Sequence, residues 1–493
     1  MRRLVLSLLV LFAVASASAQ TLTTAIGSNP PTLDPHKTFN GFSFSVTNQV
    51  YEALFDVTPE GEIVGRLAES WAFVTPSRLD VTVRAGVTFH DGSPLDAEAV
   101  KASLDRLLDP DTGAPGRFVV SAIDEVVVTG ERTLTIDTGE AFAPLLAHLA
   151  HPVTAIVPAS LGDQLGREPV GTGPFRFSSW TDGSEVVLER NDAYWGGAPE
   201  LDGVTLRIVP EVSTQIVELR SGGLDIIFNL PPDAYRSISE RDDVVSDAFL
   251  GWGSAHLGFN VQHPELQDPR VRQALAYAID KSLIIEEFLQ GLGQPAVAPI
   301  PPTVRFAAAE LDEPYPYDPE RARELLAEAG AENLSLRLDI FQNPDLESVA
   351  QIVQFMLSEV GVDLDIRTQE YAAYAEAIQQ EDAQLYATTW GTVTLDADYT
   401  LYAFFHSSQI PQNNASRYAD PEVDDWLDQG RGTPDELVRA NVYRQVQQRV
   451  LTDLPMVTLY YPLSTYAKRE ALRGEIVAYS WIDLDLRNAT LDE

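Results

Sequence analysis

The side chains able to do chemistry are few and widely spaced. Asp396 and Asp398 form an Asp-x-Asp pair. Such a pair could bind a hard cation, but the rest of an EF-hand loop, its glycine included, is missing. It could also supply the acid and base of a hydrolase, yet two carboxylates at i,i+2 on one short loop cannot flank a scissile bond from opposite sides. Of seven histidines only His148 and His151 fall within one helical turn, and Pro152 follows directly, so they read as the end of a helix rather than as metal ligands. A nucleophile elbow, an H-E-x-x-H helix, a phosphate loop and a dinucleotide glycine triplet do not occur in the chain. These patterns argue against an enzyme and call for no cofactor or metal. What remains is aromatic residues beside polar loop residues: Trp252, Trp390, Tyr399, Tyr402, Phe404, Phe405 and Trp481. Their stacking faces and hydrogen-bonding edges suit a pocket for a small ligand.

The elements that must position these residues are mixed. Leu79, Val81 and Val83 alternate as a strand, and Val100, Leu104, Leu107 and Leu108 follow helical spacing behind an Asp96 cap. Over 124–137, Val126 and Val128 stand opposite Leu134 and Ile136 across a turn, which predicts a hairpin. Asp268-Pro269 and Asp318-Pro319 each supply a cap and a first-turn proline, with Gly330 ending the second helix. Leu334 to Ile340 alternates, Val349 to Val360 forms a helical stripe, and Val362 to Ile366 alternates again, predicting a right-handed βαβ unit. The chain is therefore an α/β protein, with a parallel layer in its second half and an antiparallel insertion in its first.

The 493 residues suffice for about three domains at roughly 150 residues each. A formal charge of −39 repels phosphate backbones and anionic headgroups, which excludes nucleic acid as an expected partner. Cysteine is absent, so disulfides, thiolate sites and lipid attachment at a cysteine are excluded. Met1-Arg2-Arg3, the apolar run Leu4 to Ala15, and Ala17-Ser18-Ala19 match a secretory signal over residues 1–19. Cleavage before Gln20 would release an extracytoplasmic or periplasmic protein that is not lipid-anchored.

Several ordered stretches resemble the solute-binding proteins of peptide-type ABC importers, extracytoplasmic family 5. They are Asn29 to Pro35, Val50-Tyr51-Glu52-Ala53-Leu54-Phe55, Leu67-Ala68-Glu69-Ser70-Trp71, and Val87 to Val100 with His90-Asp91-Gly92 at its centre. Gly171-Thr172-Gly173-Pro174-Phe175, Asn191-Asp192-Ala193-Tyr194-Trp195, Gly258-Phe259-Asn260 and Val271-Arg272-Gln273-Ala274-Leu275 continue the series. Most of these motifs read as structural: His90-Asp91-Gly92 fixes a turn, and Gly171 and Gly173 are expected to supply positive φ.

The resemblance implies a two-lobed, periplasmic-binding-protein-like fold of the cluster C type, with an extra subdomain. Lobe I would comprise 20–65, 170–258 and 465–493, the extra subdomain 66–169 and lobe II 259–464. It also implies pocket walls from His36, Phe39, Asn40 and Phe42, from Trp252 and Gly253, and from the loop carrying Trp390, Thr392, Asp396, Asp398 and Tyr399. In that last loop Asp398 either anchors a ligand ammonium or caps a helix beginning at Tyr399. The segment Phe341-Gln342-Asn343-Pro344-Asp345 lacks the arginine that clamps a dipeptide carboxylate. The function implied is capture of a peptide by lobe closure and its delivery to ABC permease subunits, by a protein expected to be a monomer. An oligosaccharide or a nickel chelate is the alternative ligand, and a carboxylate-dependent hydrolase the alternative class.

Overall fold

The computed structural model describes residues 20–58, 61–474 and 484–492. The predicted signal and Trp481 lie outside them. A twelve-stranded mixed sheet runs through both lobes, and a separate four-stranded antiparallel sheet forms the extra subdomain. In lobe I, strand Thr21–Ile26 pairs in parallel with Gly203–Ile208, bringing Leu22 against Val204 and Thr24 against Leu206. Leu22, Val204 and Leu206 are fully buried in one core with Leu188 and Ile226.

Lobe II holds the βαβ unit read from the sequence. Strands Ser335–Phe341 and Asp363–Gln369 are parallel neighbours, joined by helix Pro344–Glu359. Asn343 caps that helix by accepting the Asp345 and Leu346 N–H groups, while Leu346, Val349, Val353 and Leu357 face the core. The caps at Asp268 and Asp318 are also present, and Gly330 ends the second helix in the left-handed region at φ 72°.

In the extra subdomain the hairpin has the expected register, Val126 against Ile136 and Val128 against Leu134. Asp96 caps helix Ala97–Leu108, which lays Val100, Leu104 and Leu107 on that sheet. The turn at Gly92 has φ 86°, and the His90 ring meets the Gly173 carbonyl at 3.0 Å. Gly171 and Gly173 serve differently from the expectation. Neither has positive φ; the chain there runs so close to Val50 that a Cβ on Gly171 would overlap the Val50 carbonyl, and one on Gly173 would lie 2.7 Å from it. Glycine is required by close backbone approach, not by turn handedness.

Two strands connect the lobes. The 13-residue strand Met456–Lys468 pairs through its first half with Gly253–Phe259 and through its second with Val245–Leu250 and Ile226–Phe228. Gly253–Phe259 itself pairs with lobe II strand Leu385–Gly391 along its whole length. The chain therefore crosses between lobes at 250–253 and again near Pro462.

Candidate functional site

Where the lobes and the extra subdomain meet lies a cavity of about 610 Å³. Lobe I supplies helix Gly41–Val50, which Asn40 caps by accepting the Phe42 and Ser43 N–H groups. Its i, i+3, i+7 spacing brings Phe44, Thr47 and Tyr51 to the cavity wall. Asp56 and Arg66, from the hairpin Phe55–Val57 and Ile63–Gly65 and its flank, add a charged wall that Asp485 and Arg487 complete. The extra subdomain contributes His151, the crossing at 250–253 contributes Trp252, and lobe II contributes Val393, Thr394 and Leu395.

Charge on this wall is organised around two arginines. Glu52, buried, ion-pairs with Arg66 at 2.7 Å and accepts hydrogen bonds from Thr172, Tyr194 and the Trp195 indole. One carboxylate thus ties together the Val50–Phe55, Gly171–Phe175 and Asn191–Trp195 stretches, which is the physical work those motifs do. Burial opposes the charge on Arg66, but the carboxylates of Glu52, Asp56 and Asp485 outweigh it and hold its pKa above the ordinary value. Arg487 ion-pairs with Asp485 and, at 3.4 Å, with Asp56. His151 accepts the Val153 N–H at Nδ1, which places its hydrogen on Nε2. Burial, reinforced by His148, pulls its pKa down to about 3 and keeps the ring neutral.

The residues singled out from the sequence separate into two sets. Phe39 and Trp252 line the cavity. Phe39 stacks on His151 with ring centroids 5.2 Å apart, and Trp252 packs so closely over Gly391 that a Cβ there would enter its ring. The others do not line the cavity. His36 is buried, receiving the Arg106 guanidinium at Nδ1 and reaching the Ala155 carbonyl through Nε2. Phe42 borders a separate cavity of about 160 Å³. Gly253 opens the strand paired to Gly391. Trp390 donates its indole N–H to Thr400 and stacks on Tyr399, and the Thr392 hydroxyl also meets Thr400.

The loop bearing the acid pair does reach the cavity, but through Val393, Thr394 and Leu395. Leu395 holds φ 56°, a strained conformation for a leucine, and this twist turns the following acids inward. Asp396 caps helix Ala397–Phe405 and receives both terminal nitrogens of Arg439 at 3.0 and 2.8 Å. Asp398 accepts from Arg431 at 3.2 and 2.7 Å and from the Tyr443 hydroxyl at 3.1 Å. Both carboxylates are fully buried, and the helix begins at Ala397 with Asp396, not Asp398, as its cap. Among the described residues no group of three or more histidines, aspartates or glutamates is placed to hold a metal ion.

Sequence reasoning passed over Thr47, Asp56, Arg66, Asp485 and Arg487, read His151 only as the end of a helix, and named Thr394 only as part of the loop from Trp390 to Tyr399. Only Thr47 carried a usable signal, sharing a helical face with Phe44 and Tyr51.

A cavity shut between two lobes that exchange two strands defines a two-lobed solute-binding protein. The chain belongs to the bacterial extracellular solute-binding proteins, family 5, whose middle region matches residues 62–412. It is 30% identical to the glutathione-binding protein GsiB of Pectobacterium atrosepticum over 482 residues, covering 94% of this chain and 93% of that one. Among solved structures it resembles the periplasmic binding protein DppA of Helicobacter pylori in complex with the peptide STSA, at 26% identity and TM-score 0.77, covering 96% and 98% of the two chains. HbpA2 of Haemophilus parasuis shares the fold at 24% identity and TM-score 0.89, covering 96% of this chain and all of that one.

Proposed function

We propose that this protein is the exported receptor of an ABC importer, and that it encloses a short peptide between its lobes and presents it to the permease. The observation that carries this reading is the cavity of about 610 Å³ walled by both lobes and the extra subdomain, a volume within the roughly 300–1,000 Å³ typical of small-ligand sites. Its wall combines aromatic faces with charges of both signs, which matches a zwitterionic ligand better than a neutral sugar. The ligands of the relatives, glutathione for GsiB and the peptide STSA for DppA, favour the same class.

Closure follows from contacts across the cleft. The Ala143 N–H of the extra subdomain donates to the Arg431 carbonyl of lobe II at 2.7 Å, and Phe118 meets Tyr399 with centroids 6.5 Å apart. The pivots are the two crossings, at 250–253 and near Pro462. A ligand touching both lobes only when they are shut stabilises the shut state by its differential affinity. The acid pair is engaged in ion pairs inside lobe II, which favours binding without hydrolysis. The protein acts as a monomer, released by cleavage before Gln20.

The test is mass spectrometry of small molecules released by denaturing the protein purified from its own host. A short peptide in stoichiometric amount is expected. A sugar, a metal complex or a truncated product formed from an added peptide would contradict the reading.

A further inference from the structure

His148 and His151 are neighbours in the sequence but are placed differently. His148 is sealed in the core, where Nδ1 donates to the Val119 carbonyl at 2.6 Å and Nε2 is buried without a partner. His151 lines the cavity. Its Nδ1 caps the short turn Pro152–Thr154 by accepting the Val153 N–H at 3.0 Å, so the ring carries its hydrogen on Nε2. Phe39 stacks on this ring at 5.2 Å with the planes 7° apart, and Phe44 meets it edge-on at 5.9 Å. Phe39 is itself held in place, since a Cβ on Gly116 would come within 3.1 Å of its ring.

The cap and the two aromatic contacts leave the Nε2–H as the polar group of this ring without a partner. His151 is 6% exposed, yet its Nε2 is not sealed like that of His148: it keeps accessible surface in a residue that borders the cavity. A donor buried to that degree forfeits most of its hydration unless a bound molecule accepts from it. The surroundings also define the acceptor. Among the described residues, His148 is the titratable group that acts on the ring, and burial holds both imidazoles neutral. A carboxylate brought between the phenylalanines would give up its water for one bond from a neutral donor, whereas an amide carbonyl needs no counter-charge.

We infer that His151 is a ligand-binding residue, which presents its Nε2–H to an uncharged oxygen of the enclosed molecule, an amide carbonyl in the case of a peptide. The extra subdomain thereby takes part in recognition. The donor is preorganised, because the Val153 N–H fixes the tautomer and Phe39 and Phe44 fix the plane of the ring. Phe39, 38% exposed, adds an apolar face beside the donor. The inference rests on the reading of this cavity as the ligand site, but not on the ligand being a peptide.

The experiment uses the full-length mature protein and two variants, each stripped of bound compounds by unfolding and refolding. His151→Asn keeps an acceptor for the Val153 N–H but has no atom where Nε2 stands. His151→Phe keeps the stack on Phe39 and loses both nitrogens. Thermal melts of the ligand-free proteins report folding, and either variant is informative if the other misfolds. An equimolar mixture of di- and tripeptides is offered to wild type, and the peptides it retains are titrated calorimetrically into all three proteins at pH 5 and pH 8. A folded variant should bind about tenfold more weakly than wild type, as expected when an enclosed acceptor loses its donor, and by the same factor at both pH values. Wild-type affinity in a folded variant overturns the inference. A loss much larger at pH 5 than at pH 8 marks a protonated ring against a carboxylate and overturns the uncharged acceptor. If wild type retains no peptide, the peptide reading fails by itself, and the compounds released by denaturing host-purified protein are titrated instead. A tenfold loss with them supports the inference, and an unchanged affinity overturns it.

Discussion

The Asp398 carboxylate receives two hydrogen bonds from Arg431, at 3.2 and 2.7 Å, while the main-chain carbonyl of the same arginine accepts the Ala143 N–H from across the cleft at 2.7 Å. Arg431 thus links the inside of lobe II to the surface on which the extra subdomain closes. Its guanidinium also lies 3.3 Å from the centre of the Tyr402 ring. The acid that most resembles a ligand anchor in the sequence is spent on holding the end of helix Pro421–Gly432 in place.

Asp398→Asn should accordingly act on stability. Breaking a buried pair typically costs 3–5 kcal/mol, and because Arg431 retains 27% side-chain exposure the expected loss is about 2–4 kcal/mol. Urea unfolding of the ligand-free protein checks this. An unchanged midpoint together with a large loss of ligand affinity would restore Asp398 to the binding site.

The two tryptophans of the cleft should separate. Trp252 faces the cavity, so Trp252→Ala should weaken ligand binding by about ten- to a hundredfold, the equivalent of roughly 1–3 kcal/mol. Trp390 lies between Tyr399 and Phe404, with centroids at 5.6 and 4.7 Å, and Trp390→Ala should cost about 3–5 kcal/mol of stability. Calorimetric titration beside chemical denaturation distinguishes the two roles, and a reversed pattern would contradict the geometry.

Glu52→Gln should destabilise the protein by about 3 kcal/mol, since it leaves the Arg66 guanidinium, 16% exposed, without its nearest counter-charge. Thermal unfolding reads the loss. Gln can still accept from Tyr194 or Trp195, so Glu52→Ala should cost more.

Buried histidines set the acid response. Burial lowers the pKa of His36 and His90 to about 4 and of His151 and His256 to about 3. Each stays neutral in the fold while the unfolded chain protonates near 6.5, so the unfolded state binds more protons between those values. Stability is then greatest above pH 6.5 and falls as pH drops toward 4, by roughly 1 kcal/mol per histidine per pH unit. Melting temperatures measured from pH 7.5 to 4.5 check the sign, and a flat profile between pH 7 and 5 would contradict it.

The sequence was most legible where local chemistry decides local structure. Asp96, Asp268 and Asp318 announce their helices because each side chain caps the first turn directly behind it, and strict alternation in 126–136 sets the hairpin register. It was least legible where the partner is remote. Whether Asp396 and Asp398 face ligand or core is decided by Arg439 and Arg431, 43 and 33 residues away, and by the positive φ of Leu395. The Asp56–Arg487 pair joins residues 431 positions apart. Periodicity carries no information at that range. Gly171 teaches a related lesson, because the same residue serves turn handedness and close backbone approach, and only the neighbour, Val50, tells which.

The central claim is that the lobes close on a ligand, and an intramolecular distance tests it most directly. The chain has no cysteine, so Val74→Cys on the extra subdomain and Phe355→Cys on lobe II, both strongly exposed, accept spin labels cleanly. Pulsed dipolar spectroscopy should show a broad distribution in ligand-free protein that collapses to a single, shorter distance when the compound released from host-purified protein is added back. Identical distributions with and without that bound compound would contradict the account.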